Sequence, residues 1–420
     1  MNKIFSFLIL GLIVCSCHKD DPDDSDTGAT RTVFVYMAGE NNLSAYLDTD
    51  IKEMMEGSKT LSDRENLIVY VDKASKTELP YMARIKDGEI TDKYELTADP
   101  STADPKVLEL MLSQAKESYP AKSYGLVLWG HANGWLIMND SIRYEAASRS
   151  YGGDTGNNTS GSSGSQWMNI PSMAKAIAKA MNGTQLDYIF ADCCNLGGSI
   201  EVAYELKDVT KYLIGSPAEI PDNGANYNSI MKGLFSTSDS FYQEICDNYF
   251  NSNSNNLSSD LPLVTIKTSE LKNLAAATSD IMNSIADKIS PSGQLDTERV
   301  VYYGYIDNFS TQDCYKYAYD MQFLLKRNAT DDAFNTWYSY FDKAVPYSVA
   351  SNYWDTAYIK IYRDQDNFDG IDDCGVVSMF FPMTMYDNWN KGAHTSYPNW
   401  NQAIKKMQWY YAVGWAQYGW

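Results

Sequence analysis

The chain has 420 residues, 44% hydrophobic and 13% aromatic, with 54 acidic against 34 basic side chains and a formal net charge of −20. That length and apolar content bury a sizeable core, as two domains or one elaborated one. The acidic balance argues against nucleic acid and anionic membrane surfaces as partners, because neutralising phosphates needs a basic footprint, and fits a cationic partner or substrate.

Met1-Asn2-Lys3 followed by the apolar run 4–14 reads as a signal peptide, too short to span a bilayer as a mature helix. Its end, Leu12-Ile13-Val14-Cys15-Ser16-Cys17, resembles a bacterial lipobox in which Val14 and Ser16 fit and Cys17 is lipidated. The resemblance implies a lipid-anchored protein on the outer membrane or cell surface. Asp20, Asp21, Asp23, Asp24 and Asp26 then read as a solvated acidic tether, similar to the surface-export signals of Bacteroidetes lipoproteins. Setting Cys15 and Cys17 aside leaves Cys193, Cys194, Cys246, Cys314 and Cys374, an odd set that keeps at least one thiol unpaired within a monomer. No CxxC or Cys/His cluster points to structural zinc.

Residues 32–57 read as a strand, a turn and an amphipathic helix with Leu43, Leu47, Ile51, Met54 and Met55 on or near one face. A second strand spans 66–72, and 80–90 reads as an edge hairpin around Asp87-Gly88. Asp104-Pro105 opens a helix carrying Val107, Leu108, Leu110, Met111, Leu112 and Ala115. A third apolar strand, 124–129, ends in Gly130-His131-Ala132-Asn133-Gly134-Trp135. Arg143 and Arg149 precede 151–165, whose Gly, Ser and Asn content predicts a flexible surface loop. A helix through Ala174, Ile177, Ala178 and Met181 follows. Residues 187–206 predict a buried strand, a polar elbow with Cys193 and Cys194, and a helix that Ser199 can cap. The next strand, 212–216, leads into a loop with Glu219 and Asp222. Beyond it the pattern predicts a strand at 262–266, a helix around 269–290, Tyr-rich helical segments over 314–354, a strand at 374–382 and a Trp/Tyr-rich helix from 398.

Strands alternating with helices predict a mainly parallel sheet, whose ligands bind outside the carboxyl ends of the strands. Of the three histidines, His18 lies in the tether and His394 near the carboxyl end, while His131 emerges from a strand end, as the elbow cysteines do. A thiol and an imidazole on one rim suit acyl transfer. On the residues alone Cys193 and Cys194 are equivalent, and two small buried residues or an adjacent-pair disulfide remain open for them.

The blocks TVFVYMAGENNLS, YGLVLWGHANGW, FADCCNLGGSIEVAYEL and GSPAEIPDNGANY resemble, in order and spacing, the clostripain family of cysteine peptidases, within the group that includes caspases, legumain and gingipains; CGVVSMFFP resembles a later block. The resemblance implies a caspase-like three-layer α/β sandwich over residues 31–227, after the signal peptide (1–17) and tether (18–30), with an α+β region (228–420) completing or packing on the sheet. It implies Cys194 as nucleophile and His131 as its partner. The backbone N–H groups of Ala132 and Cys194 would form the oxyanion hole, with Ala132 standing where the family usually has glycine. Cleavage after Arg or Lys would draw on Asp192, Glu219 and Asp222 as an acidic specificity pocket. Arg143 or Arg149 would be the self-cleavage site. The chemistry requires no cofactor and no metal ligands are assigned; Ca2+ enters by resemblance to some relatives alone, and Asp364, Asp366, Asp369, Asp372 and Asp373 do not match an EF-hand. The expected partner of the monomer is a protein or peptide substrate. A catalytically silent surface-binding lipoprotein, or a Cys-His amidase or transpeptidase, are the alternatives.

Overall fold

The computed structural model describes residues 28–137, 150–156, 166–253, 261–308, 313–351, 353–355, 360–362, 374–388 and 399–420. Its frame is the strand ATRTVFVYMAG, β1 (Ala29–Gly39), with Val33, Val35 and Met37 buried on one face and Phe34, Tyr36 and Ala38 on the other. Burial on both faces makes it a central strand.

Further strands are β2 (Glu65–Lys73), β3 (Tyr81–Lys86), β4 (Glu89–Glu95), β5 (Ala121–Gly130), β6 (Tyr151–Asp154), β7 (Gln166–Met168), β8 (Leu186–Asp192), β9 (Thr210–Gly215), β10 (Pro262–Lys267), β11 (Tyr302–Asn308), β12 (Asp313–Asp320) and β13 (Tyr347–Ala350), with short strands at Tyr353–Asp355, Lys360–Tyr362 and Ser378–Met379. The helices are α1 (Ser44–Ser58), α2 (Pro105–Ser118), α3 (Ile170–Met181), α4 (Ile200–Leu206), α5 (Tyr227–Phe235), α6 (Phe241–Asn253), α7 (Leu271–Ser284), α8 (Ala286–Ile289), α9 (Met321–Asn328) and α10 (Asp331–Ala344). A nine-stranded sheet runs in the order β13-β10-β9-β8-β5-β1-β2-β3-β4. Its five central strands are parallel, and β3, β4, β10 and β13 extend it antiparallel at the two edges. Helices α1, α5 and α6 cover one face; α2, α3, α4, α7, α9 and α10 cover the other. This is the α/β sandwich expected from the sequence. Among the described residues no helix is long and apolar enough to cross a membrane.

Local chemistry accounts for the boundaries. The Asp104 carboxylate accepts from Lys106 N–H and Pro105 opens α2. The β3–β4 turn places Asp87 and Gly88 at positive φ, as a two-residue hairpin requires.

Four expectations are corrected. Residues 151–154 are not a flexible loop but β6, paired with β7; Tyr151 is fully buried and its hydroxyl donates toward the carbonyls of Tyr36 (3.1 Å) and Trp129 (3.0 Å). Averaging composition over the window hid one aromatic anchor; residues 157–165 lie outside the described residues. The Tyr-rich stretch is only partly helical: Tyr315, Tyr317 and Tyr319 recur every second residue and form β12, paired with β11, while β13 joins the main sheet. The strand expected at 374–382 shrinks to Ser378–Met379, because Val376 has φ 58° and the N–H groups of Gly375 and Val376 are taken by the Asp320 carboxylate. The last helix breaks into short turns, among them Trp400–Ala403, Gln408–Ala412 and Trp415–Tyr418, with Met407 extended and Gly414 left-handed. The breaks let Trp400, Trp409 and Trp415 all reach the core.

Candidate active site

Strands β5 and β8 are parallel neighbours whose register pairs Trp129 with Asp192. His131 and Cys194 each stand two residues beyond that pair, so they leave the rim at one level. Gly130 makes the exit from β5 with φ 139°, where a Cβ would lie 2.8 Å from the Ala38 carbonyl oxygen. On the other side Gly197 lets the elbow touch β9: a Cβ there would meet Gly215 Cα at 2.3 Å.

Alternation separates the two thiols. Cys193 and Cys194 follow directly on β8, and their side chains continue its alternation between the two faces. Cys193 turns into the apolar cluster under α2–α4 and is 1% exposed, with its thiol pushed well up by burial, then by Cys194 and Asp192. Cys194 turns to the other side and borders a cleft of about 180 Å³ that His131, Asp192, Glu219 and Asp222 also line. The Ile220 N–H donates to Cys194 Sγ at 3.4 Å. Burial pushes the Cys194 thiol up to about 12, followed by the charge of Glu219, against the Ile220 N–H, with Asp222 and Asp192 adding to the rise. Cys193, Cys194, Cys246 and Cys374 are free thiols, so the adjacent-pair disulfide does not form.

His131 Nε2 lies 2.7 Å from Asn42 Oδ1 in the loop after β1. With Asn42 Oδ1 as acceptor, this hydrogen bond is donated by Nε2–H. Ala132 forms an antiparallel bridge with Tyr151, bracketed by Gly152 N–H to the His131 carbonyl (2.8 Å) and Asn133 N–H to the Ser150 carbonyl (3.0 Å). That bonding pattern turns the Ala132 N–H away from the neighbouring strand.

The cleft's acidic side has three levels. Asp222 is exposed, with Tyr46 Oη 3.4 Å from it; Glu219 is half-buried; Asp192 is 3% exposed at the floor. Asp192 accepts from Ala225 N–H (3.0 Å) and Tyr227 Oη (2.8 Å), and burial lifts it to about 6 against these bonds. Behind it, Asp50 accepts from Trp129 Nε1–H at 2.6 Å. Burial and then Asp192 raise Asp50 to about 8.

The elbow is braced from far along the chain. Ser378 N–H donates to the Gly198 carbonyl (2.8 Å), and buried Glu201 accepts from Phe380 N–H (2.6 Å) and Ser199 Oγ (2.8 Å). Sequence reasoning did not single out Asn42, Asp50, Tyr227 or Glu201 for a role, although Asn42, Tyr227 and Glu201 stand in quoted blocks. It also missed Glu40, Asp72 and Asp154, three buried carboxylates on separate elements. Cys17, the signal peptide, Arg143, Arg149, His394 and the acidic stretch around Asp364 lie outside the described residues.

Comparison with known proteins agrees with this geometry. A secreted C11 cysteine protease from Bacteroides thetaiotaomicron, solved in complex with an irreversible peptide inhibitor, is 27% identical, with a TM-score of 0.70 over 93% of this chain and 100% of its own. An inactive zymogen C11 protease from Parabacteroides distasonis is 25% identical, with a TM-score of 0.71 over 92% and 99%. A further secreted C11 protease of B. thetaiotaomicron, iotapain, is similar in fold at 20% identity and a TM-score of 0.69, over 92% and 99%. Among curated proteins none matches the sequence. The Clostripain family profile matches residues 35–420, and the chain belongs to that family.

Proposed function

We propose that this protein is a cysteine endopeptidase that cleaves after Arg or Lys, with Cys194 as nucleophile and His131 as proton carrier, held at the cell surface by lipid on Cys17. One observation carries the reading: the thiol facing the cleft shares it with the histidine and three acidic side chains.

In the reaction the Cys194 thiol gives its proton to His131 Nδ1, and the thiolate forms a bond to the scissile carbonyl carbon. The N–H groups of Cys194 and Ala132 receive the oxyanion. The imidazolium returns its proton to the leaving amine as the C–N bond breaks, and water then hydrolyses the thioester. A thiol near 12 is a poor nucleophile at neutral pH, and acidic neighbours contribute to that. A cationic substrate side chain against Asp192 and Glu219 offsets their charge, so binding and thiol activation coincide.

A cut at Arg143 or Arg149 would fall just before β6, which stays held through Tyr151 and Gly152. An intact chain after prolonged incubation of active enzyme would count against self-cleavage there.

The decisive experiment offers fluorogenic Arg, Lys, Asn and Asp peptides, under reducing conditions, to wild type, Cys194→Ala, Cys193→Ala and His131→Ala. Turnover of Arg or Lys peptides that Cys194→Ala and His131→Ala each abolish supports the proposal. Turnover of none points to a surface-binding protein, and acyl transfer to an added amine in place of hydrolysis points to a transpeptidase.

A further inference from the structure

We propose that Glu40, Asp72 and Asp154 form a site for a divalent cation of calcium's size, whose occupancy ties the loop carrying Asn42 to the strand that follows residues 138–149. The binding part of this inference does not depend on the peptidase reading.

The three side chains come from separate elements. Glu40 follows the end of β1, Asp72 lies near the end of β2 and Asp154 ends β6. All are buried, and one carboxylate oxygen from each lies within 4.8 Å of the other two. Calcium binds oxygens at about 2.3–2.6 Å, so two of its ligands can stand up to about 5 Å apart, whereas magnesium demands a tighter octahedron. The group holds no sulfur or imidazole, which sets zinc aside.

Two further atoms point to a missing partner. Asp72 Oδ2 is fully buried and has no hydrogen-bond partner, in a residue 1% exposed. Tyr70 Oη, two residues earlier on the same face of β2, is equally buried and equally without a partner. A buried polar atom without a partner is destabilising, and an ion or its bound water would supply the missing partner. Asp154 is already aimed, accepting from Thr102 N–H (2.8 Å) and Gly156 N–H (3.0 Å).

The surroundings link the group to His131. The Glu40 carbonyl accepts from Thr155 N–H (2.9 Å) and Oγ1 (2.8 Å), and Asn41 Nδ2 donates to the Gly153 carbonyl (2.7 Å). The next residue, Asn42, contacts His131 Nε2, and the His131 carbonyl accepts from Gly152 N–H. An ion held by Glu40 and Asp154 therefore cross-links the two segments that flank the histidine.

The rival arrangement is a carboxyl cluster that shares protons and binds nothing. Full-length protein stripped with a chelator distinguishes them. We expect Tb3+ luminescence sensitised by Tyr36 and Tyr70, displaced by one Ca2+ per chain, and a melting temperature raised by several degrees in Ca2+. Asp72→Asn should weaken Ca2+ binding at least 10-fold while leaving the Ca2+-free melting temperature equal or higher; Glu40→Gln serves as second variant should the first not fold. No Ca2+-dependent shift in wild type, an unchanged affinity in both variants, or an equal response to Mg2+ would overturn the site. His131 ring NMR signals, assigned with His131→Ala, should move on adding Ca2+; signals that stay in place would overturn the link to the histidine.

Discussion

Two groups of buried carboxylates stand at the carboxyl end of one sheet, and they differ in what faces them. Asp192 and Asp50, on the α1/α5 side, meet donors already supplied by the fold: Ala225 N–H, Tyr227 Oη and Trp129 Nε1–H. Asp72, on the opposite face, has an oxygen with no donor at all. In the first arrangement Asp192 borders an open cleft, where a cation can arrive and leave with a substrate, and Asp50 stands behind it with its proton retained by burial. The second asks for a resident partner.

The widest test of the comparison exploits the two adjacent thiols. Cys194→Ala should lower kcat/KM for Arg peptides by at least ~10³-fold, and Cys193→Ala by less than ~3-fold because it lines no cleft; equal losses would break the assignment of faces. Next in size, Asp192→Asn should cost roughly 10- to 100-fold on Arg and Lys peptides, the worth of a charged hydrogen bond, and little on a neutral one. A loss shared by all peptides would make Asp192 a structural residue only.

A pH experiment comes third. Asp50 is held near 8 by burial, with Asp192 and Glu53 opposing its ionisation and Trp129 favouring it. The unfolded carboxyl releases its proton near 3.8. Between these values the folded state binds the extra proton, so stability falls as pH rises through that window. Melting curves from pH 5 to 8 should therefore slope downward in wild type and flatten in Asp50→Asn. Parallel slopes would show that the carboxyl ionises freely. The smallest effect belongs to Asp222→Asn on the exposed lip of the cleft, less than ~3-fold in KM.

The central sheet was legible because its strands are apolar runs separated by amphipathic helices, and because a strand buried on both faces leaves a plain signature in residues such as Val33 to Ala38. The site was legible where it coincided with strand ends, as at His131 and Cys194. Two kinds of information were not. Pairing that depends on one anchor, such as Tyr151, disappears when composition is averaged over its polar neighbours. Convergence of residues far apart in sequence, such as Glu40 with Asp154 or Asp50 with Asp192, depends on register and on which face each side chain takes, and neither is written in a local pattern. The family resemblance selected Cys194, and of the two thiols it is Cys194 that borders the cleft, while Cys193 lies in the apolar cluster.

The brace on the elbow bears on how the protein is made. Gly198 and Glu201 are held by Ser378 and Phe380, contacts that span 180 and 179 positions of sequence. During synthesis from the amino end, the helix next to Cys194 must wait for residue 380 before a buried carboxylate finds its donor. A nascent chain therefore carries a thiol whose scaffold is unfinished, and the machinery that makes the protein meets it before its support is complete.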